Sequence, residues 1–149
     1  MLAAMGSMAE FPELITSMFL SGQEISESGI YNIRFFIRGK PWVVTVDDYL
    51  LTNTNGKPIF AKSGNTNAMW PAILEKAWAK IVGNYEISDG GYMETSLRAL
   101  TGVPVFTYKC GYIDNNADSE ELWTTFKAAD DIDYLLSTIV YYTGTGLTN

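Results

Sequence analysis

The sequence of 149 residues contains no histidine and a single cysteine, Cys110. The lack of histidine excludes imidazole acid–base catalysis and histidine metal ligation by this chain. A lone cysteine excludes an internal disulfide and favours a reducing compartment, so we predict a cytoplasmic protein. Lysine and arginine number 10 against 17 acidic residues, a balance that argues against binding to nucleic acid. No apolar run reaches the roughly 18 residues that a membrane-spanning helix needs.

The apolar residues, 47% of the chain, and the aromatic residues, 13%, are enough to form the core of one globular domain. The most regular stretch is residues 70–91, WPAILEKAWAKIVGNYEISDGG. Apolar residues recur there at helical spacing, which predicts a central amphipathic helix with Asn67 as its N-cap and Gly83 as its end. The predicted apolar stripe is Trp70, Ile73, Leu74, Ala77, Trp78 and Ile81. The charged residues expected in solvent are Glu75, Lys76 and Lys80.

The rest of the sequence predicts further helices and a small antiparallel sheet. Further helices are expected at residues 2–9, 12–19, 93–100, 119–126 and from Asp130 or Asp131 to Tyr142. Strands are expected at residues 31–37, 42–46, 58–61 and 103–109, with a hairpin turn at Gly39-Lys40-Pro41. This order predicts the α+β class, as one domain over residues 1–149 with a small sheet against a helical core.

The acidic residues and the cysteine are the first candidates for chemistry. The run Asp114–Glu120 places oxygen ligands at alternate positions of a calcium-loop template, but Ser119 and Thr125 stand where the template needs Gly and Glu. A solvated loop that caps the next helix is the preferred interpretation. Cys110 has only Lys109 as an adjacent cation, and adjacent strand residues point to opposite faces, so a structural thiol is preferred to a nucleophile.

Two further pairs of residues have alternative interpretations. Asp47 and Asp48 suggest paired acids, but neighbours at the end of a strand diverge, which favours turn and capping roles. Gly90 and Gly91 form either a tight turn that needs positive φ or a bare stretch of backbone that an extended peptide can approach and hydrogen-bond. The residues alone leave both interpretations of the glycine pair open.

Several motifs, in order, resemble the core of the calpain-type cysteine proteases. The matching segments are 2–8 (LAAMGSM), 39–50 (GKPWVVTVDDYL), 57–63 (KPIFAKS), 74–91 (LEKAWAKIVGNYEISDGG) and 101–102 (TG). The longest is similar to the family signature LEKAYAKxxGxYExxxGG, and Leu51 stands where the family's strand motif usually ends in proline. The resemblance covers residues 2–102 well and residues 103–149 loosely.

The resemblance implies a papain-like lobe, on the side of the protease core that carries the catalytic Cys. In the family the nucleophilic Cys and the oxyanion-hole Gln precede the helix matched by residues 2–8, and the His and Asn belong to the second lobe. No catalytic residue is therefore implied within this chain, whereas Gly90 and Gly91 match the glycines whose backbone binds an extended substrate peptide. We expect a fragment of a calpain-like endopeptidase, inactive alone, whose partner is the remainder of the core or another subunit. The uncapped start at Met1 also suggests a missing upstream segment.

The resemblance also bears on metal binding and on the alternatives. The family's calcium-ligating Glu precedes the Phe-Trp that opens the central helix, and Ala68 takes its place here. This change implies that the family's calcium site is lost, and no cofactor is expected. One alternative is a pseudoprotease that acts as a structural or interaction subunit, whose apolar first helix needs a partner to cover it. Another is a peptide-binding module that uses the glycine pair as a groove with one wall.

Overall fold

The computed structural model describes residues 1–20, 25–64, 68–108 and 116–138. The chain divides into two compact units, Met1–Gly111 and Tyr112–Asn149. The first unit contains the helices α1 (Leu2–Met8), α2 (Pro12–Met18), α3 (Trp70–Val82), α4 (Tyr85–Ser88) and α5 (Met93–Thr101) and the strands β1 (Ile30–Ile37) and β2 (Lys40–Asp47). The second unit contains α6 (Asn116–Asp130). Helices with one two-stranded antiparallel sheet confirm the predicted α+β class within these ranges.

The two strands form a hairpin whose register pairs Ile37 with Lys40. Its turn is therefore Arg38-Gly39, and the predicted turn at Gly39-Lys40-Pro41 is wrong. Both turn residues have positive φ, 52° and 74°, as in the two-residue loops whose twist matches that of the flanking strands. Lys40 and Pro41 belong to β2 instead, and the proline is tolerated because β2 is an edge strand.

The core of the first unit lies where the hairpin contacts α3. Alternate residues of a strand share one face, and Ile33 and Phe35 of β1 are fully buried. The rings of Phe35 and Trp78 lie 6.0 Å apart between centroids. The other buried residues of α1, α3 and α5 include Ala4, Met5, Met8, Ile73, Leu74, Ala77, Leu97 and Leu100. The predicted stripe of α3 is confirmed at its centre, whereas Trp70 and Ile81 at its ends are only half-buried.

The first helix is covered from within the chain. Ala4, Met5 and Met8 of α1 are buried, and α1 contacts α2 and α5. Leu2 at its start is 54% exposed. The expectation that α1 needs a partner to cover its apolar residues is therefore wrong for the three buried ones, because neighbouring helices of the same unit already exclude water from them.

The central helix begins later than its predicted cap and ends where predicted. Met69 occupies the cap position of α3, without a side-chain capping bond, whereas the predicted cap, Asn67, lies outside the described residues. The helix starts at Trp70, so its cap position is residue 69 and Asn67 is not its N-cap. Gly83 follows its last residue with a φ of 125°, a conformation that favours glycine.

The lysines of α3 bind β2 and Tyr49, two residues beyond it. Lys76 is half-buried there, so the prediction that it remains in solvent is wrong, whereas Lys80 is exposed as predicted. The Lys76 ammonium donates to a carboxylate oxygen of Asp47 and to the carbonyl of Tyr49, each at 2.6 Å. The Lys80 ammonium donates to the carbonyl of Thr45 at 2.7 Å. Because backbone carbonyls on an edge strand lack a neighbouring strand to bond, these two lysines satisfy acceptors that the sheet leaves open.

Two of the predicted strands are wrong. Residues 58–61 contain one residue of an isolated β-bridge, Pro58, and residues 103–108, the described part of the other predicted strand, contain none. A side chain supplies a bond there, since Arg98 of α5 donates to the carbonyl of Val105 at 3.2 Å. An alternating sequence becomes a strand only where a second strand pairs with it.

The helix of the second unit is longer than the predicted helix 119–126, and Ser119 lies inside it rather than at its cap. After it, the N–H of Tyr134 donates to the carbonyl of Ala129 at 3.0 Å, and Asp133 has a φ of 58°. This left-handed closure ends a helix. The second helix predicted for this region is therefore wrong through residue 138, and the rest of it lies outside the described residues.

Candidate functional site

The segment between α3 and α5 places the glycine pair at the surface. The side chain of Asn84 accepts a hydrogen bond from the N–H of Ile87 at 2.7 Å and so caps the short helix α4. The sequence prediction missed α4, although asparagine is among the residues that most favour the start of a helix. Asp89 separates α4 from Gly90 and Gly91, and α5 begins at Met93.

The glycine pair is held in a conformation that other residues rarely adopt. Gly90 and Gly91 have φ values of 86° and 112°, and both are exposed. A Cβ added to either one would meet no atom within 4 Å. Glycine is therefore favoured at both positions by the backbone conformation, not by a lack of space for a side chain. The result is two successive residues whose backbone is open to solvent and bare of side chains.

Two cavities share Gly90 and Trp78. The small cavity, about 220 Å³ in volume, is also lined by Gly91, Val82 and Tyr92. The large cavity, about 760 Å³, is lined by residues from the start of α1, from α3 and from α4. Its lining residues include Glu75 and Trp78 of α3, Tyr85 and Glu86 of α4, and Phe60 and Asp89 from the adjoining loops. The bare backbone of Gly90 therefore borders both cavities.

Aromatic and acidic side chains set the character of the large cavity. The rings of Phe60 and Tyr85 are stacked, with centroids 4.2 Å apart and planes 6° apart. Glu75 accepts a hydrogen bond from the N–H of Ala61 at 2.6 Å, so the prediction that its side chain stays in solvent is wrong. Burial raises the pKa of the Tyr85 phenol, and the negative charges of Glu75 and Asp47 raise it further. The phenol is thus held neutral beside a negative potential.

The two neighbouring aspartates do not act as paired acids. Asp47 accepts hydrogen bonds from the Lys76 ammonium at 2.6 Å and from the N–H of Tyr49 at 2.9 Å, and these bonds lower the pKa of its carboxyl group. Asp48 lies against Gly29, where an added Cβ would come within 2.8 Å of the carboxylate. The turn role predicted for Asp47 is confirmed, because its side chain bonds the backbone two residues ahead.

The remaining candidate residues are Cys110, the calcium-loop template and Ala68. Cys110 and the start of the calcium-loop template at Asp114 lie outside the described residues, and the template is helical from Asn116 onward. Ala68, which the sequence resemblance matches to the family's calcium-ligating Glu, is exposed. Within the described ranges, no three histidine, cysteine, aspartate or glutamate side chains are grouped to hold a metal ion. No helix of these ranges is long and apolar enough to cross a membrane.

Comparison with known proteins places the chain in a class. The family model of the calpain family cysteine proteases matches residues 1–146. The chain is 42% identical to the calpain-type cysteine protease ADL1 of Oryza sativa subsp. japonica over 100 residues, 67% of this chain and 4% of that protein. It is 46% identical to the calpain-type cysteine protease DEK1 of Zea mays over 79 residues, 53% of this chain and 4% of that protein. It is 36% identical to calpain clp-1 of Caenorhabditis elegans over 104 residues, 68% and 13% of the two chains.

The chain belongs to the calpain family of cysteine proteases. The resemblance seen in the sequence is confirmed, and the family match extends beyond residues 2–102 to residue 146. The chain spans between 4% and 13% of the length of these three relatives.

Proposed function

We propose that this chain forms part of the core of a calpain-type cysteine endopeptidase and supplies one wall of its substrate groove. In this proposal residues 1–149 belong to the papain-like lobe on the Cys side of the core. The observation that carries it is the exposed backbone of Gly90 and Gly91 between two cavities. Because no Cβ covers these peptide units, an extended peptide can approach them closely enough to form main-chain hydrogen bonds.

The proposal assigns no catalytic residue to this chain. Cysteine proteolysis needs a thiolate with a base beside it and a third group that orients the base. The 149 residues contain no histidine, so the imidazole base must come from the remainder of the core or from another subunit. Loss of calcium binding at Ala68 and a cytoplasmic location remain predictions from the sequence.

The groove can be tested by titrating the 149-residue chain with extended peptides. Selective ¹⁵N labelling of glycine gives one amide signal for each of the 13 glycines. We expect an acetylated peptide amide with leucine at its centre to shift the signals of Gly90 and Gly91 saturably and to leave the signal of Gly39 in the hairpin turn unchanged. Shifts spread evenly over all the glycines, or none at Gly90 and Gly91, would contradict the proposal.

A matched pair of substitutions separates a blocked groove from general strain. Gly91→Ala places a methyl group on the bare backbone, and we expect it to abolish peptide binding. Gly56→Ala is the control, because Gly56 also has positive φ, 73°, and nothing within 4 Å of an added Cβ, yet it lines neither cavity. Equal loss of binding in both variants would show that strain, not access to the groove, is responsible.

A second candidate function is a calpain-like pseudoprotease that works as an interaction subunit. It is favoured by exposed apolar side chains on the loop after β2, where the N–H of Ile59 donates to the carbonyl of Leu51 at 3.1 Å. Leu51 is 56% exposed, Ile59 57% and Tyr49 84%. Large apolar side chains exposed to solvent and joined by a backbone bond, as Leu51 and Ile59 are, are a candidate site for another protein.

Sedimentation of the purified chain tests the second candidate. We expect self-association that increases with concentration and that the double substitution Leu51→Ser and Ile59→Ser reduces. The control is Ile25→Ser, which removes an apolar side chain that is 80% exposed at a distant point of the sequence. A wild-type chain that sediments as a monomer at every concentration would count against an interaction subunit.

A further inference from the structure

The two outer edges of the hairpin are covered to different extents by the described part of the chain. The edge of β1 is bonded, because the N–H of Leu20 donates to the carbonyl of Asn32 at 2.9 Å. The second half of β2 is bonded by a side chain of α3, since the carbonyl of Thr45 accepts from the Lys80 ammonium at 2.7 Å. The edge that remains is the first half of β2, residues 40–43.

The backbone of Val43 points away from β1. Residues that face each other in an antiparallel pair alternate between exchanging two hydrogen bonds and exchanging none. Pro41 has no N–H to donate and faces Phe36, so it fits a pair without bonds, and Val43 two residues later has the same phase. The outward carbonyl of Thr45, two residues later again, agrees. Within the described ranges Val43 forms no hydrogen bond on that side, so its N–H and carbonyl are open to a partner.

The side chains beside this open edge are apolar and basic. Trp42 is 61% exposed and Val43 51%, although apolar side chains of this size are usually covered in a folded protein. Arg38 and Lys40 flank the glycine of the hairpin turn, and both are exposed. Lys80 is exposed at the other end of the edge. The edge therefore offers apolar contacts between positive charges.

The charge of this edge is opposite to that of the whole chain. The chain has 17 acidic residues and 10 basic ones. Within residues 38–47 the acidic residue is Asp47, and it already forms a salt bridge with Lys76 at 2.6 Å. A positive surface of this kind attracts a negatively charged partner and repels a second copy of itself.

We propose that residues 40–45 of β2 bind an extended acidic segment of another protein, which adds to the hairpin as a third strand. The main chain of that segment bonds the open N–H and carbonyl of Val43, and its carboxylates lie near Lys40 and Lys80. Strand addition of this kind takes its affinity from main-chain bonds and its specificity from alternate side chains. At about 3.4 Å per residue, the edge has the length of a hexapeptide.

A bilayer surface is the less suitable partner. Basic and aromatic side chains also favour anionic membranes. Lipid hydrocarbon, however, cannot bond the open N–H and carbonyl of Val43, whereas a peptide strand bonds both. The residues of this edge line neither cavity beside the glycine pair, so the inference goes beyond the proposed function and does not depend on it.

The test uses the hexapeptide acetyl-Val-Glu-Val-Glu-Val-Glu-amide and two relatives in which glutamine or lysine replaces every glutamate. Each is titrated in low salt into the chain of 149 residues labelled with ¹⁵N-valine. We expect the glutamate peptide to shift the amide signal of Val43 saturably. It should bind roughly five- to tenfold more tightly than the glutamine peptide, and the lysine peptide should bind most weakly, as exposed charge pairs allow. The signal of Val82, which lines the small cavity, should not change.

Hydrogen exchange and N-methylation distinguish strand addition from attraction between charges alone. The N–H of Val43 should become protected from exchange when the glutamate peptide binds. Alternate N–H groups of an added strand face the hairpin, so methylating the glutamate nitrogens and methylating the valine nitrogens should differ. One set should abolish binding and the other should spare it. Equal effects of the two sets would overturn the pairing as a strand.

A matched pair of double variants tests the basic side chains. Arg38→Gln with Lys40→Gln removes two charges at the open edge and should bring the affinities for the glutamate and glutamine peptides to within about twofold. The control is Lys57→Gln with Lys62→Gln, which removes the same charge from two exposed lysines of the loop after β2. The control should keep the full preference, and equal loss in both double variants would overturn the role of the edge.

The remaining outcomes identify a different occupant. Shifts at Val82 with none at Val43 would place the peptide in the groove, which overturns this inference and supports the proposed function. Protection of Val43 that appears without peptide and rises with chain concentration would assign the edge to a second copy. Binding to vesicles that contain phosphatidylserine, with none of the peptides bound, would assign it to a membrane. Each of these results would overturn the proposal.

Discussion

Two regions of the molecule differ in how they are held: the junction where α3 packs on the hairpin, and the segment from Gly83 to Tyr92, which follows α3 in the sequence. At the junction, Leu74 and Phe35 are fully buried. In the segment, Ile87 is 63% and Tyr92 70% exposed. The junction is stabilised by removal of apolar area from water, whereas the segment depends on a cap and on glycine conformations.

This contrast supports a packing role for α3 and the peptide binding proposed for the segment after it. Peptide groups buried in a core are already paired and offer nothing to a ligand. An exposed segment keeps its backbone free, and a rigid neighbour fixes its position. Segments with few buried apolar contacts also open locally at a lower free-energy cost than the core does. The groove proposed here is the less stable of the two regions.

The largest expected effect is on the junction. Leu74→Ala removes a side chain that is 0% exposed, and we expect the free energy of unfolding to fall by about 3 kcal/mol because of lost burial and a residual cavity. Urea unfolding followed by circular dichroism measures this. Ile87→Ala in the exposed segment should change the free energy of unfolding by less than about 0.5 kcal/mol. Equal losses of stability in the two variants would show that the exposed segment is packed as tightly as the junction.

A smaller effect distinguishes a crowded glycine from an open one. Gly102, at the end of α5, has a φ of 75°, and an added Cβ would come within 2.7 Å of the Phe36 ring. Gly90 has a φ of 86° and open space. We expect Gly102→Ala to cost about 2 kcal/mol, from strain at positive φ plus displacement of the ring, and Gly90→Ala about 1 kcal/mol, from strain alone. Thermal unfolding of both variants measures the difference between their losses of stability. Equal losses would show that the Phe36 ring moves aside without cost.

Phe36 shows what sequence reasoning could and could not reach. Strict alternation predicts the inward set of β1, and Phe36 is the residue that breaks it. Its ring lies against Gly102 and under the guanidinium of Arg34, 5.7 Å from the ring centroid. A contact between residues 66 positions apart leaves no periodic signal, so local patterns predict the strand but not the reason for its irregular residue.

The same limit applies to the site. Periodicity predicts the buried face of α3, and the family motifs point to Gly90 and Gly91. The partners of Lys76 and Glu75 come from the end of β2 and from the loop after it, whose path depends on tertiary structure, and no spacing rule identifies them. The strand predicted at residues 103–109 is wrong over its described part for a related reason, because pairing depends on a neighbour that the local sequence does not specify.

A third prediction concerns the link between α3 and the end of β2. Lys76→Met removes hydrogen bonds to the carbonyls of Tyr49 and Asp47 and should lower the free energy of unfolding by about 1 kcal/mol. Lys62→Met is the control, since Lys62 is exposed and forms no hydrogen bond among the described residues. Equal effects in urea unfolding would show that the Lys76 contacts do not stabilise the junction.

The same link predicts a dependence on pH. The hydrogen bond from Lys76 lowers the pKa of Asp47 below its ordinary value of 3.8. A carboxyl group whose pKa is lower in the folded state stabilises the fold above its ordinary pKa and ceases to do so as pH falls through the lowered one. The difference in stability between wild type and Lys76→Met should therefore shrink as pH falls below about 4. A stability difference that stays constant with pH would show that the Asp47 carboxylate does not contribute to this link.

The smallest expected effect is on the pKa of Tyr85, whose side chain lines the large cavity. Its phenol should ionise above the ordinary pKa of 10.0, first because of burial and then because of the charges of Glu75 and Asp47. The folded state keeps this proton longer than the unfolded state, so the stability it contributes is complete below pH 10 and is lost as pH rises through the raised pKa.

Carbon-13 labelling of tyrosine follows the titration, and Tyr85→Phe assigns the signal. Glu75→Gln should lower this pKa only in part, because burial remains. A phenol that titrates at its ordinary pKa would show that neither burial nor the charges of Glu75 and Asp47 act on Tyr85.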